Sequence, residues 1–164
     1  MNPLWTYLWP IICAGLLAGG LGGLFGFRRR HNRPLIIAGV LALGAAAAWH
    51  GPLGAANRYS STIERQARQA LDYYEMPQVK ARLHRGPLSR RLILSGPADD
   101  FQTSELARLL GQLPGVSKVS WTDGGEGLPL IAEGELAAIL GFLGGLLIAY
   151  LIELRRRYNA QWTW

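Results

Sequence analysis

Three long stretches without a charged residue constrain this chain more than any other feature of its sequence. They cover residues 1–27, 35–49 and 136–152. A helix that crosses the hydrocarbon core of a bilayer needs about 20 apolar residues, and the first and third stretches reach that length with their flanks. The middle stretch, from Pro34 to His50, gives roughly 26 Å of helix. That length suffices when Arg33 snorkels and Trp49 lies in the interface.

The sequence therefore predicts an integral membrane protein with three transmembrane α-helices. Buried core helices of a soluble protein are the first alternative, but an uncharged, glycine-rich run of 27 residues fits poorly into a core built from 164 residues. A cleaved signal peptide is the second alternative. Such peptides begin with a basic region, and no residue before Arg28 is basic, so we expect the chain to be retained from Met1.

Arginines flank the apolar stretches and predict their orientation. Short cytoplasmic loops of membrane proteins carry an excess of Lys and Arg. The residues that we expect to anchor the chain at the inner leaflet are Arg28, Arg29, Arg30, Arg33, Arg155, Arg156 and Arg157. The predicted location is the bacterial inner (cytoplasmic) membrane, with a periplasmic N-terminus and a cytoplasmic C-terminus. The predicted segments are transmembrane helices at 1–27, 34–50 and 131–153, a cytoplasmic loop at 28–33, a periplasmic domain with linkers at 51–130, and a cytoplasmic tail at 154–164.

The arginines that flank the apolar stretches also account for most of the net positive charge of the chain. The formal net charge is +6, and a pI near 10 would ordinarily suggest nucleic acid. Residues 51–133, however, hold ten Lys or Arg against nine Asp or Glu, so most of the excess comes from the seven flanking arginines. Topology and anionic headgroups explain that distribution better. We expect membrane lipids as partners and no nucleic acid.

Glycines recur at helical spacing within the apolar stretches. Lipid supplies no hydrophobic drive for helix association, so small residues that permit close van der Waals approach mark packing faces. The predicted helix-packing residues are Gly15, Gly19, Gly22, Gly23, Gly26, Gly141, Gly144 and Gly145. The pattern leaves open whether they pack against a helix of this chain or of another membrane subunit.

The apolar stretches and the rest of the chain lack the usual marks of catalysis or transport. No ionisable residue lies deep in a predicted span, which argues against a channel, pump or transporter. The nucleophile elbow and the zinc, redox and phosphate-binding motifs are also missing, and Cys13 is the only cysteine. We predict a protein that is not an enzyme, with no catalytic residue, no metal and no cofactor other than bound lipid. His50, at the outer edge of the second span, is a weak candidate for contact with a pigment; an interfacial polar residue is the alternative.

Residues 51–130 show the pattern of a small α+β domain. Ser61 and Glu64 form a capping-box motif that predicts the start of a helix, and Met76-Pro77 predicts its end. Alternating residues predict strands at 78–84 and 91–95, and a helix capped by Asp99 or Asp100 follows. A third strand is predicted at 116–121. The predicted order is αββαβ.

The segment LILSGPADDFQTSELARLLGQLPGVSKVSW resembles a BON domain, a small module of bacterial envelope proteins. The resemblance lies in a strand that ends at a glycine, a capped helix and a Gly-Val step before the last strand, with the matching residues Gly96, Gly115, Val116 and Val119. It covers roughly residues 61–121. It implies binding to phospholipid surfaces or attachment within the envelope, and it carries over no catalytic residue.

Arginines cluster around the predicted hairpin turn between the first two strands. They are Arg82, Arg85, Arg90 and Arg91. A solvated turn is the simplest interpretation, and a contact with lipid phosphates or an acidic partner is the functional one.

Two functions follow as hypotheses. The first is a non-catalytic scaffold or accessory subunit whose glycine-lined helices stabilise a larger inner-membrane complex, of the photosynthetic reaction-centre, light-harvesting or respiratory kind, while the BON-like domain covers the periplasmic face of that complex. Its partners would be other integral membrane subunits. The second is an envelope protein that binds phospholipid or acts in the stress response, and that binds phospholipid through the BON-like domain.

Overall fold

The computed structural model describes residues 2–29, 31–122 and 127–161. Arg30 and the last three residues of the predicted tail lie outside the described residues. The elements, in chain order, are α1 (Pro3–Arg29), α2 (Arg33–His50), α3 (Ala55–Tyr73), β1 (Lys80–Arg85), β2 (Leu88–Ser95), α4 (Asp100–Leu110), β3 (Lys118–Ser120) and α5 (Leu130–Gln161). They form two compact units. The domain unit comprises Met1–Tyr7 and Gly54–Ala132, and the helical unit comprises Leu8–Leu53 and Glu133–Trp164.

The helical unit contains α1, α2 and α5. All three helices are long and apolar enough to cross a membrane, as judged by length and composition. Helix α5 continues without interruption to Gln161, beyond the residue at which the third predicted span ends. No glycine or proline follows Gly145 to stop it, and Glu153 pairs with Arg156 and Arg157, one helical turn further on.

Glycines bring the backbones of α1 and α5 into direct contact. A Cβ atom added at any of four positions would overlap a backbone atom of the facing helix; the four are Gly15, Gly19, Gly141 and Gly145. The facing atoms include the carbonyl oxygens of Ala138, Phe142, Ile12 and Leu16. Only glycine permits this approach, and van der Waals contact at such distances is what holds helices together in lipid.

Helix α1 also packs against α2, through a second set of glycines. Gly22 lies against Ala38, and Gly26 lies against the side chain of Leu35. Gly144 differs from the other glycines of the predicted set, since no atom lies within 4 Å of a Cβ built there. The internal helices of this chain thus occupy most of the glycine faces.

The domain unit has the predicted αββαβ order. The sheet order is β1-β2-β3, with β1 antiparallel to β2 and β2 parallel to β3. Helix α3 packs on β1 and α4 packs on β3. The buried leucines of the strands all belong to one face of the sheet, and they are Leu83, Leu92 and Leu94.

The two helices of the domain bury apolar stripes at helical spacing. In α3 the buried stripe includes Ile63, Ala67 and Leu71, each with no exposed surface. In α4 it includes Leu106 and Leu110. Asp99 caps α4, since its side chain accepts a hydrogen bond from the backbone N–H of Gln102, which confirms that predicted helix start.

The predicted start of α3 was wrong. The helix begins at Ala55, directly after Gly54, whose φ is +70°. The added segment contains buried Tyr59, whose hydroxyl donates to the carbonyl oxygen of Gly115 across 2.6 Å. The ring of Tyr59 also packs 6.0 Å from the ring of Tyr7.

Paired substitutions test the glycine contact between α1 and α5. Gly145→Ala places a methyl group against the backbone of the facing helix, and we expect a loss of about 1–3 kcal/mol in the free energy of unfolding. Gly144→Ala meets open space, and its higher helix propensity should leave stability equal or slightly raised. Unfolding in detergent micelles, followed by circular dichroism, measures both. Equal effects of the two variants would contradict the contact.

Candidate functional site

The strands of the domain carry an unusual excess of positive charge. The three strands contain Lys80, Arg82, Arg85, Arg90, Arg91 and Lys118, and they contain no Asp or Glu. What these side chains can do depends on which of them are already bound within the fold.

Arg85 is engaged by a carboxylate from α3. Its Nη2 lies 3.2 Å from Oε1 of Glu64, and the same oxygen accepts the backbone N–H of Leu83. Glu64 therefore does not form the predicted capping box; it binds the outer edge of β1, where an unpaired strand would otherwise expose its donors. Arg68 binds the segment just before this strand, because its Nη1 donates hydrogen bonds to the carbonyl oxygens of Pro77 and Val79.

Arg90 and Arg91 are engaged by hydroxyl and carbonyl oxygens. Arg91 is only 4% exposed. Its Nη2 donates to Oγ of Ser120 and to the carbonyl oxygen of Thr122, both across 2.8 Å. Arg90 donates from Nε to the carbonyl oxygen of Gly115 across 2.9 Å. Both guanidinium groups tie β2 to the segment around β3.

The structure does not bring the four predicted arginines together on one exposed face. Arg90 shares the helix-covered face with Leu92, whereas Arg91 and Arg82 belong to the opposite face. Of the four, only Arg82 is exposed without a hydrogen bond or ion pair among the described residues.

Two lysines that the sequence reasoning passed over join Arg82. Strand register places Lys80, Arg82 and Lys118 on the same face, opposite the buried leucines, and all three are exposed. Within the part of the chain that the structure describes, no carboxylate pairs with them. We call these three residues the basic sheet face. The alternation of Lys80 and Arg82 with Ala81 and Leu83 along β1 was the signal that could have identified Lys80.

The basic sheet face has neutral residues between its exposed charges. Ile93 pairs with Arg82 on one side and with Ser120 on the other, and Ser95 pairs with Lys80. Because neighbouring strands are spaced at about 4.8 Å, the two outer strands lie roughly 10 Å apart. Arg82 also lines a polar depression of about 910 Å³ beside β1, together with the paired side chains of Glu64 and Arg85. The arrangement suits a flat or shallow anionic ligand.

The remaining predicted residues occupy positions outside this face. Arg28 lies near the end of α1, Arg33 begins α2, and the arginines of residues 155–157 lie on α5. His50 is the half-buried last residue of α2. Among the described residues, no group of three His, Cys, Asp or Glu side chains could hold a metal ion.

The chain matches no protein-family model, no curated protein and no solved structure. The resemblance to a BON domain therefore stays a prediction. One of its matching residues, Gly115, has a φ of +102°, and a Cβ there would press against Ile63 and Tyr59. A glycine is thus required at that position by the local packing.

Substitution of Arg91 and of Arg82 should separate a structural arginine from an available one. Arg91→Leu removes a buried charged donor that binds the hydroxyl oxygen of Ser120 and the carbonyl oxygen of Thr122, and we expect a loss of about 2 kcal/mol in domain stability. Arg82→Leu should change stability by less than about 0.5 kcal/mol. Hydrogen exchange of the β2 amides in micelles measures this difference. Equal loss of protection in both variants would show that Arg82 is also structural.

Proposed function

We propose that this chain is an integral membrane protein whose αββαβ domain binds anionic phospholipid headgroups through the basic sheet face. The observation that carries the proposal is the exposure of Lys80, Arg82 and Lys118 on the face of the sheet opposite the buried leucines, with no ion pair to a carboxylate among the described residues. The resemblance to a BON domain favours the same chemistry.

The expected binding energy is adequate for a domain that is already attached to a membrane. A basic residue near an anionic lipid surface contributes about 1 kcal/mol at physiological salt. Three such residues contribute about 3 kcal/mol, which corresponds to a roughly 100-fold preference for acidic over neutral lipid. Because tethering keeps the effective concentration of a membrane surface high, a modest intrinsic affinity is enough.

The orientation that we propose follows from the arginines of the helical unit. Arg28, Arg33 and the arginines of residues 155–157 all lie at corresponding ends of their helices. The positive-inside rule then favours a cytoplasmic position for those ends and a periplasmic position for the domain.

An accessory-subunit role is the second candidate. The glycine faces that motivated it are largely occupied within the chain, since Gly15, Gly19, Gly141 and Gly145 contact internal backbone. What still favours it is α2, where Gly44 is exposed and no atom lies within 4 Å of a Cβ built there. A small residue on an exposed helix face permits close approach of a further membrane helix.

A site-specific dye tests the lipid proposal on the full chain. In a Cys13→Ser background, Ser95→Cys places one environment-sensitive dye on the basic sheet face. The chain is reconstituted in acidic nanodiscs, or in neutral nanodiscs to which acidic vesicles are added. We expect a blue shift of the dye with phosphatidylglycerol and none with phosphatidylcholine alone. Neutralisation by Lys80→Gln, Arg82→Gln and Lys118→Gln together should weaken the interaction roughly 100-fold.

Two controls make the result specific. A dye at Gln112→Cys, an exposed position after α4, should report no shift. Arg58→Gln, Arg65→Gln and Arg108→Gln remove three charges from the helices and should leave the response at residue 95 intact. Absence of a shift with either source of acidic lipid, or equal loss in both triple variants, would reject the lipid proposal and leave the accessory-subunit role.

A further inference from the structure

The helical unit contains a cleft of mixed chemistry where its three helices end together. The cleft has a volume of about 460 Å³ and opens between the end of α1, the start of α2 and the last turns of α5. Phe27, Leu35 and Tyr150 form an apolar wall, and Asn32, Glu153 and Arg157 supply polar groups.

The apolar wall is held in place by contacts between the helices. The rings of Phe27 and Tyr150 meet edge to face, with their centroids 6.0 Å apart. Leu35 packs directly on Gly26. Arg157 reaches from α5 to donate to the carbonyl oxygen of Phe27 across 3.5 Å. The cleft is thus part of the packed helical unit.

The charges around the cleft leave a positive excess. Glu153 is the one acidic residue in the last four turns of α5, and its carboxylate is shared by Arg157 at 2.9 Å and Arg156 at 3.8 Å. Two guanidinium groups therefore face one carboxylate. Arg28 and Arg33, the chain neighbours of two lining residues, are exposed and add to the same excess.

An apolar wall next to a net positive charge is complementary to a ligand with an acyl chain and an anionic head. Basic pockets between membrane helices are known to take such headgroups. A guanidinium group binds phosphate oxygens through charge-assisted hydrogen bonds. From this complementarity we infer that the cleft binds one molecule of an anionic phospholipid, with the phosphate at Arg157 and an acyl chain along Phe27 and Leu35. This site lies in the helical unit and is independent of the basic sheet face.

Native mass spectrometry of the full chain, titrated in detergent with phosphatidylglycerol or phosphatidylcholine, tests the site. We expect one phosphatidylglycerol to bind at least tenfold more tightly than phosphatidylcholine. Arg157→Gln should reduce that affinity about tenfold, because it removes a charge-assisted donor to phosphate. Arg155→Gln, a neighbouring exposed arginine outside the cleft, should leave the affinity unchanged.

A variant with the opposite expected sign separates binding from folding. Glu153→Gln removes the competing carboxylate, so it should raise the affinity for phosphatidylglycerol, whereas general damage to the fold would lower it. Glycerol phosphate, which lacks acyl chains, should not displace the lipid at equal concentration.

Three results would overturn the inference. The first is equal loss of affinity in Arg157→Gln and Arg155→Gln, and the second is displacement of the lipid by glycerol phosphate. The third is a chain that binds phosphatidylglycerol as a monomer and not as a dimer, which would show that a second copy of the chain competes for the cleft.

Discussion

The helical unit depends on backbone contact between α1 and α5 at glycines. In a bilayer, apolar side chains gain no hydrophobic free energy by moving from the lipid tails into a helix interface. Helix association therefore has to come from van der Waals contact between complementary surfaces. Gly15 and Gly19 of α1 and Gly141 and Gly145 of α5 provide that fit, since a single methyl group at any of them would overlap backbone. Gly22 and Gly26 extend the same principle to α2. Large apolar side chains such as Leu17 and Leu140 are left exposed, which suits contact with lipid tails.

The charged residues of the domain unit fall into two groups, those that are bound within the fold and those that are exposed and unpaired among the described residues. Glu64 closes the edge of β1, and Arg91 binds oxygens beside β3 from a buried position. Such engaged groups contribute to folding and specify where the edges of the sheet lie. The basic sheet face differs: its three side chains, Lys80, Arg82 and Lys118, are exposed and form no ion pair among the described residues. Their charges are therefore available to bind an external anion. This contrast between bound and available cations is the basis of the proposed lipid contact.

Periodicity and charge were enough to predict the coarse architecture. The three apolar helices, the αββαβ order and the cap at Asp99 all follow from local patterns. The start of α3 could not be predicted in this way, because Ser61 and Glu64 fit a capping box while Glu64 in fact contacts β1. The roles of the arginines also depend on tertiary structure. Adjacent Arg90 and Arg91 lie on opposite faces of the sheet, and Arg91 differs from Arg82, on the same face, because it is buried and bound to Ser120 and Thr122.

Both lipid proposals rest on one claim, that the chain crosses a bilayer three times, with the arginines that flank its apolar helices on one side and the αββαβ domain on the other. Single cysteines in a Cys13→Ser background test it most directly. Gln112→Cys marks the domain, and Asn159→Cys marks the last turns of α5; both positions are exposed. A membrane-impermeant maleimide, applied to cells whose outer membrane has been opened, should label residue 112 at once and residue 159 only after the inner membrane is permeabilised. Labelling of both residues before permeabilisation, or of residue 159 alone, would contradict the account.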